Sequence, residues 1–338
     1  MKDFKNKLVF ITGGASGAGL GQAQVFTEAG ARVIIADVNQ ERLDEAVKSG
    51  AAVEAIKLDV TDRAGWAAAA DGIEKKYGET VDLLILTAGV NVFGPAEASS
   101  YDDYDWVVGI VFGGVVNGLV TFVPRMIKKG KGGHIASTVS WGAFGAGPTT
   151  APYSAAKAAQ LNLLESYYEA LKSYNIGVTA VCPANINSHI YESQLKHIEA
   201  GHKTGYNVSE GTAALLATIH AHGMDPKVLA NWLKEAIEND VFLCVPYKSG
   251  PEMVEDALSR FPLLSTADGI KKLAEKRTQP PTEQELRFNA EREGYDVGAQ
   301  RQAPEPPKTD GPALDWAKIG FGKASRDADW VEAGKKAD

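Results

Sequence analysis

A chain of 338 residues, 44% hydrophobic and 23% charged, is long enough for one large α/β domain or two small ones with a well-buried core. Its net charge of −8 leaves no basic surplus to neutralise phosphates, which argues against a nucleic-acid partner. Two cysteines and six scattered histidines make neither a disulfide framework nor a zinc-type spacing, so no metal is expected and a reducing, cytoplasmic compartment is.

The charged MKDFKN start carries no cleavage-type site and runs into an apolar strand, KLVFIT. The next stretch, TGGASGAG from Thr12 to Gly19, follows that strand and opens a helix over Ala18–Ala29. Gly13, Gly17 and Gly19, with Ser16 among them, let a backbone turn tightly and approach a pyrophosphate. A second strand, ARVIIAD, ends at Asp37. A carboxylate there accepts hydrogen bonds from both adenosine ribose hydroxyls and repels a 2′-phosphate. No Arg or Lys lies in the turn or just after Asp37, so the expected cofactor is NAD rather than NADP.

Helical patterns at Glu41–Lys48 and Arg63–Tyr77 flank a third strand, AVEAIKLD, and a fourth, VDLLILT, follows. The helix expected over Tyr104–Lys128 contains an uncharged run, Val107 to Pro124, that just reaches the length of a membrane span. Its glycines, paired four apart at Gly109/Gly113 and Gly114/Gly118, permit close packing, so it reads as a buried helix or subunit interface and no membrane association is expected. Lys128, Lys129 and Lys131 read as a solvated helix end.

After a fifth strand, GHIAST, comes SWGAFGAGPTTAPYSAAK, Ser140 to Lys157. Tyr153 and Lys157 fall on one face of a helix over Tyr153–Tyr174. A free Tyr, with a pKa near 10, is too weak a base for proton transfer near neutral pH. A cation about 4 Å away would lower it by roughly three pK units at an effective dielectric of 20, before desolvation is subtracted. Lys157 and an oxidised nicotinamide are the expected sources of that charge. The Ser140 hydroxyl would fix the substrate oxygen by hydrogen bonding.

A sixth strand, GVTAVC, precedes a polar insert at 188–224, expected to form a substrate lid. A helix at Pro226–Glu238 and a seventh strand, VFLCVP, complete the alternation. Short apolar strands alternating with helices predict a doubly wound, seven-stranded parallel sheet of Rossmann type over 1–250. The extension 251–338 reads as partly helical and partly irregular, either an arm packed on the body or on a partner chain or a largely disordered end, with Trp316, Phe321 and Trp330 favouring packing.

Taken together, TGGASGAG, LDV at 58–60, TAG at 87–89, Ser140, YSAAK at 153–157 and PANINS at 183–188 resemble the short-chain dehydrogenase/reductase family over residues 5 to about 245. The resemblance implies Ser140, Tyr153 and Lys157 as catalytic residues. It implies a nicotinamide cofactor held also by Asp59 and Val60 at the adenine, by Ala88 and Gly89, and by Pro183, Ile186 and Ser188 beside the nicotinamide. Tyr153 and Lys157 contact that cofactor as well. A homodimer or homotetramer is implied by the same likeness. The stretch NIGVTAVCPANINSHIYES and the long lid are also similar to the branch that includes lignin-type aryl Cα-alcohol dehydrogenases.

The chain departs from the family pattern at two places. Leu86-Thr87 stands where Asn-Asn is usual, and Val111 stands where an Asn helps hold a proton-relay water. Asn117 lies roughly 120° round an ideal helix from Val111 and is no ready substitute. Candidate substrate residues are Phe93, Trp141, Phe144 and Tyr191, with Val92 and Ile190, which suit a hydrophobic or aryl secondary alcohol or its ketone. The alternative motivated by the two departures is the same fold used without net redox, as a lyase, dehydratase, cyclase or cofactor-sensing regulator.

Overall fold

A computed structural model describes residues 1–204, 206 and 210–278, with no account of the side chains at 210–215 and 273–278. The expected packing of Trp316, Phe321 and Trp330 lies outside the described residues. Seven parallel strands form one sheet in the order β3-β2-β1-β4-β5-β6-β7. They are β1 (Leu8–Thr12), β2 (Arg32–Asp37), β3 (Glu54–Lys57), β4 (Leu83–Leu86), β5 (Gly133–Thr138), β6 (Ile176–Val181) and β7 (Leu243–Cys244). β1 and β4 are fully buried, as a sheet covered on both faces requires. The expected seventh strand shrinks to two residues, because at this edge only Ala180 and Val181 of β6 pair with it.

One face carries α1 (Gly17–Glu28), α2 (Gln40–Lys48) and α9 (Pro226–Glu238) over a core that includes Phe26, Ile35, Leu229 and Leu233. The other carries α3 (Arg63–Tyr77), α5 (Gly114–Lys129) and α6 (Ala151–Leu171) over Phe10, Trp66, Leu119 and Phe122. Each large apolar side chain fully buried here contributes about 1.5–3 kcal/mol relative to exposure. The order runs outward from β1 in one direction and from β4 in the other, so a crevice opens at the strands' carboxyl ends between them.

The long central helix starts earlier than its periodicity predicts. Ser100 and Asp103 form a capping box that begins α4 (Tyr101–Val108). A π-turn at Gly109–Gly113 then joins α4 to α5. By length and composition Tyr101–Lys129 would also span a membrane, but Val115, Leu119, Phe122 and Met126 lie buried against the sheet. Lys129 is not solvated as the sequence suggests. Its Nζ lies 2.7 Å from Asp82 Oδ1, and Asp82 Oδ2 accepts from the Leu8 amide at 2.8 Å, so the lysine neutralises a carboxylate that starts the sheet.

The polar insert contains two helices, α7 (Ser193–Glu199) and α8 (Glu210–Ala221). Past the sheet, α10 (Gly250–Leu264) and α11 (Ala267–Thr278) are the described part of the extension.

Candidate active site

The glycine turn bends at Gly13 and Gly17, with φ of +66° and +49°, a region that side-chain-bearing residues rarely enter. A Cβ on Gly13 would lie 2.8 Å from Ala88 Cα, and one on Gly17 would lie 3.0 Å from Ser188 Cβ. Two cofactor candidates distant in sequence, Ala88 and Ser188, therefore meet the turn at Gly13 and Gly17. Ser16 is the N-cap of α1 but its side chain makes no capping bond, and no acidic residue occupies the first turn. The helix N-terminus so presents amides to an anion. Gly19 packs under the turn, against the Gly13 carbonyl.

Asp37 ends β2 beside this turn. Its Oδ2 lies 3.4 Å from the Ala15 amide and its Oδ1 accepts from Asn39 N at 3.1 Å. The Arg42 guanidinium on α2 lies 3.5 Å from Glu192 of the lid. Asp59 is exposed on a cleft of about 450 Å³ bounded also by Thr61, Trp106 and Ile110. Val60 is a core side chain whose carbonyl accepts from Trp66 Nε1 at 2.8 Å and Asn117 Nδ2 at 2.9 Å. Asn117 is thus engaged at the β3 end, as its helical phase suggests. Glycines that close the turn, a free helix N-terminus and a carboxylate at the end of β2 fit a dinucleotide with two free ribose hydroxyls.

Ser140 follows β5, and its Oγ accepts from Gly142 N at 3.0 Å. A Cβ on Gly142 would lie 3.4 Å from Ser140 Oγ and 3.9 Å from Tyr153 Cε1, so the serine and tyrosine converge there. Lys157, one turn along α6, is buried, and its Nζ donates to the Thr138 carbonyl at 2.6 Å and lies 5.6 Å from the Tyr153 ring centre. At Tyr153 desolvation, the effect that opposes a lowering by nearby positive charge, comes first. Burial pushes the phenol up to about 12, against the pull of a hydrogen bond from Ser140. Burial likewise brings Lys157 down to about 7, where much of its charge is lost. Cys182 lies close beneath Ser140, and burial pushes its thiol up to about 12, so it stays neutral.

Val111 is fully buried in an apolar cluster with Val92, Val107 and Ala156, and Tyr153 packs against this cluster, so the tyrosine is backed by hydrocarbon. The other departure, Thr87, enters a closed ring. Thr87 Oγ1 donates to Gln22 Oε1 at 2.7 Å, and Gln22 Nε2 donates to Thr138 Oγ1 at 3.0 Å. The Thr138 hydroxyl must then donate to Thr87 Oγ1, 2.8 Å away, and each group gives and receives once. This ring joins α1, β4 and β5 and fixes Thr138, whose carbonyl also accepts from Gln160 Nε2 at 3.3 Å. Thr12 Oγ1 accepts from the Thr87 and Ala88 amides at 3.1 and 3.3 Å, holding TAG against TGG. Sequence reading missed Gln22, Thr138 and Gln160, which carry no motif of their own.

Pro183 continues the chain from Cys182, and its carbonyl accepts from Trp141 N at 2.7 Å. Ile186 pairs with Met224, which ties the end of the lid to this segment. Trp141 is half-buried, with its ring 5.4 Å from Phe144. Phe144 itself is buried in the core cluster on the α5 face of the sheet and backs the Trp141 ring, and Val92 is buried as well. Phe93 and Tyr191 are half-buried, and both approach His220. Gln194 of α7 accepts from Phe93 N at 3.3 Å and donates to Phe93 O at 3.1 Å, joining the Phe93 loop to the 188–224 insert. Ile190 is half-buried in the short turn before α7.

Comparison with known proteins now decides the family. The family described as short chain dehydrogenase matches residues 7–199. This chain belongs to the short-chain dehydrogenase family. It is 46% identical over 260 residues to a C alpha-dehydrogenase of Sphingobium sp. strain SYK-6, covering 75% of this chain and 85% of that one. The solved apo form of LigD from the same strain is 38% identical, with a TM-score of 0.64 and coverage of 83% of this chain and 100% of LigD. A short-chain dehydrogenase/reductase from Burkholderia phymatum, solved in complex with NAD, is 26% identical with a TM-score of 0.71 and covers 78% and 96% of the two chains. The short-chain dehydrogenase fold here is that of an oxidoreductase acting on alcohol groups, and these relatives give no support to the reading without net redox.

Proposed function

We propose that this short-chain dehydrogenase is NAD-dependent and interconverts an aryl secondary alcohol, oxidised at its benzylic carbon, with the ketone. The observation that carries this reading is the convergence of Ser140, Tyr153 and a buried Lys157 beside the crevice that the glycine turn and Asp37 border. The 46% identity to a C alpha-dehydrogenase supports the substrate class, and the NAD complex of the Burkholderia relative supports the cofactor. Glycines 13, 17 and 19, with Ser16, would hold the pyrophosphate, Asp37 the adenosine ribose, and Asp59 and Val60 the adenine. Ala88, Gly89, Pro183, Ile186 and Ser188 would border the nicotinamide side.

Oxidation of a carbinol removes a hydride from carbon and a proton from oxygen. The oxidised nicotinamide supplies the hydride acceptor and a positive charge. Tyr153 then takes the proton from the substrate hydroxyl, and Ser140 orients that oxygen by hydrogen bonding. Phenolate formation at a phenol pushed up to about 12 needs added positive charge, which a bound oxidised cofactor and the protonated fraction of Lys157 would together provide. The reading includes a 1–250 dehydrogenase domain with its lid at 188–224, a soluble cytoplasmic protein, and a homodimer or homotetramer.

Tyr153→Phe tests it directly. Turnover of 1-phenylethanol-type substrates should fall by about 10²–10⁴-fold, while NAD⁺ affinity, followed by tryptophan fluorescence, stays within about twofold. Retained turnover would remove Tyr153 from the acid/base role.

A further inference from the structure

His220 holds one unused acceptor beside the aromatic side of the candidate substrate site. Its Nδ1 lies 2.8 Å from the Leu216 carbonyl. A carbonyl only accepts, so Nδ1 carries the proton. Burial holds the imidazole below the ordinary histidine range, against a smaller opposing effect of the Leu216 carbonyl, so the ring is neutral near pH 7. Nε2 is then a bare acceptor, and among the described residues no donor reaches it.

Two aromatic contacts locate the ring. Its centre lies 6.1 Å from that of Phe93 and 5.8 Å from that of Tyr191. The backbone around it is pinned to the segment expected beside the nicotinamide. Asn185 Nδ2 donates to the Ile219 carbonyl at 2.6 Å, Met224 N donates to Asn185 O at 2.9 Å, and Asn187 N donates to Met224 O at 3.0 Å. A Cβ on Gly223 would strike the Ile186 carbonyl carbon at 2.4 Å, so the two segments are in close contact. A neutral acceptor set among aromatic rings, on a segment held against the one expected beside the nicotinamide, selects a ligand that brings a donor.

We propose that His220 is a specificity-determining residue whose Nε2 accepts a hydrogen bond from a hydroxyl group on the substrate's aryl ring. The inference rests on the aryl-alcohol reading above. It makes the substrate a hydroxyaryl carbinol and leaves the hydride and proton chemistry to the other residues.

The test compares kcat/KM for 1-(3-hydroxyphenyl)ethanol and 1-(4-hydroxyphenyl)ethanol with the matching methoxy compounds, which keep the oxygen but lose the donor, and with 1-phenylethanol. Wild type should favour at least one hydroxy isomer over its methoxy partner by about tenfold or more. His220→Phe, which keeps a ring between Phe93 and Tyr191, should bring that ratio to about one while 1-phenylethanol is turned over within about threefold of wild type. His220→Gln, which restores an acceptor, should recover part of the preference. A wild type without the preference, or a His220→Phe variant that retains it, would overturn the assignment whether or not any variant is unstable. If wild type binds NAD⁺ but oxidises none of these alcohols, the aryl-alcohol reading fails and takes this inference with it.

Discussion

The cofactor end and the substrate end of this molecule are built in different ways. At the cofactor end, the turn from Gly13 to Gly19 and Asp37 are short-range features that β1, α1 and β2 bring together with little intervening chain. At the substrate end, the contacts join residues about a hundred positions apart: Phe93 with Gln194, Ser100 with Lys203, Ser99 with Tyr206. The first region needs a backbone shape that a few glycines supply. The second depends on side-chain amides, hydroxyls and rings closing a loop against a lid, contacts that a few substitutions can reset.

The largest effect expected from breaking the cofactor end is Gly13→Val. A side chain there would meet the Ala88 backbone at 2.8 Å in a left-handed conformation. The strain alone is of order 1–3 kcal/mol, and NAD⁺ binding by calorimetric titration should be abolished. The buried lysine between the two ends is next. Its folded pKa of about 7 lies below the usual 10.5, so between those values the folded state holds fewer protons than the unfolded one. The stability tied to Lys157 therefore rises with pH through that window, by up to about 1.4 kcal/mol per pH unit. Urea unfolding of wild type against Lys157→Met, from pH 7 upward, should reveal that slope in the wild type and its loss in the variant.

Thr87→Val keeps the shape but opens the Gln22–Thr87–Thr138 ring and leaves Gln22 Oε1 without its donor. A cost of about 1–2 kcal/mol in thermal or urea stability follows, with kcat down about tenfold through a loosened Thr138–Lys157 contact. Thr87→Ser, which retains the hydroxyl, should restore kcat. The smallest effect belongs to the lid clasp. Gln194→Ala unpairs the Phe93 backbone, so KM for the alcohol should rise about three- to tenfold, with kcat and NAD⁺ affinity close to wild type. If it weakened NAD⁺ as strongly as substrate, the two ends would be one mechanical unit.

Much of the fold and the proposed set of Ser140, Tyr153 and Lys157 could be read from the chain alone. Apolar runs such as VFIT and LLIL report strands covered on both faces, and glycine spacing reports a turn that only glycine tolerates. Tyr153 and Lys157 share a helix face because the helical repeat puts them there. These features depend on a residue and its near neighbours. The direction of the Tyr153 shift, the core role of Phe144, the buried Lys129–Asp82 pair, the threonine–glutamine ring and the neutral His220 were decided by tertiary packing. In each, the deciding quantity is desolvation or a partner supplied by a distant segment, and local periodicity carries no record of either.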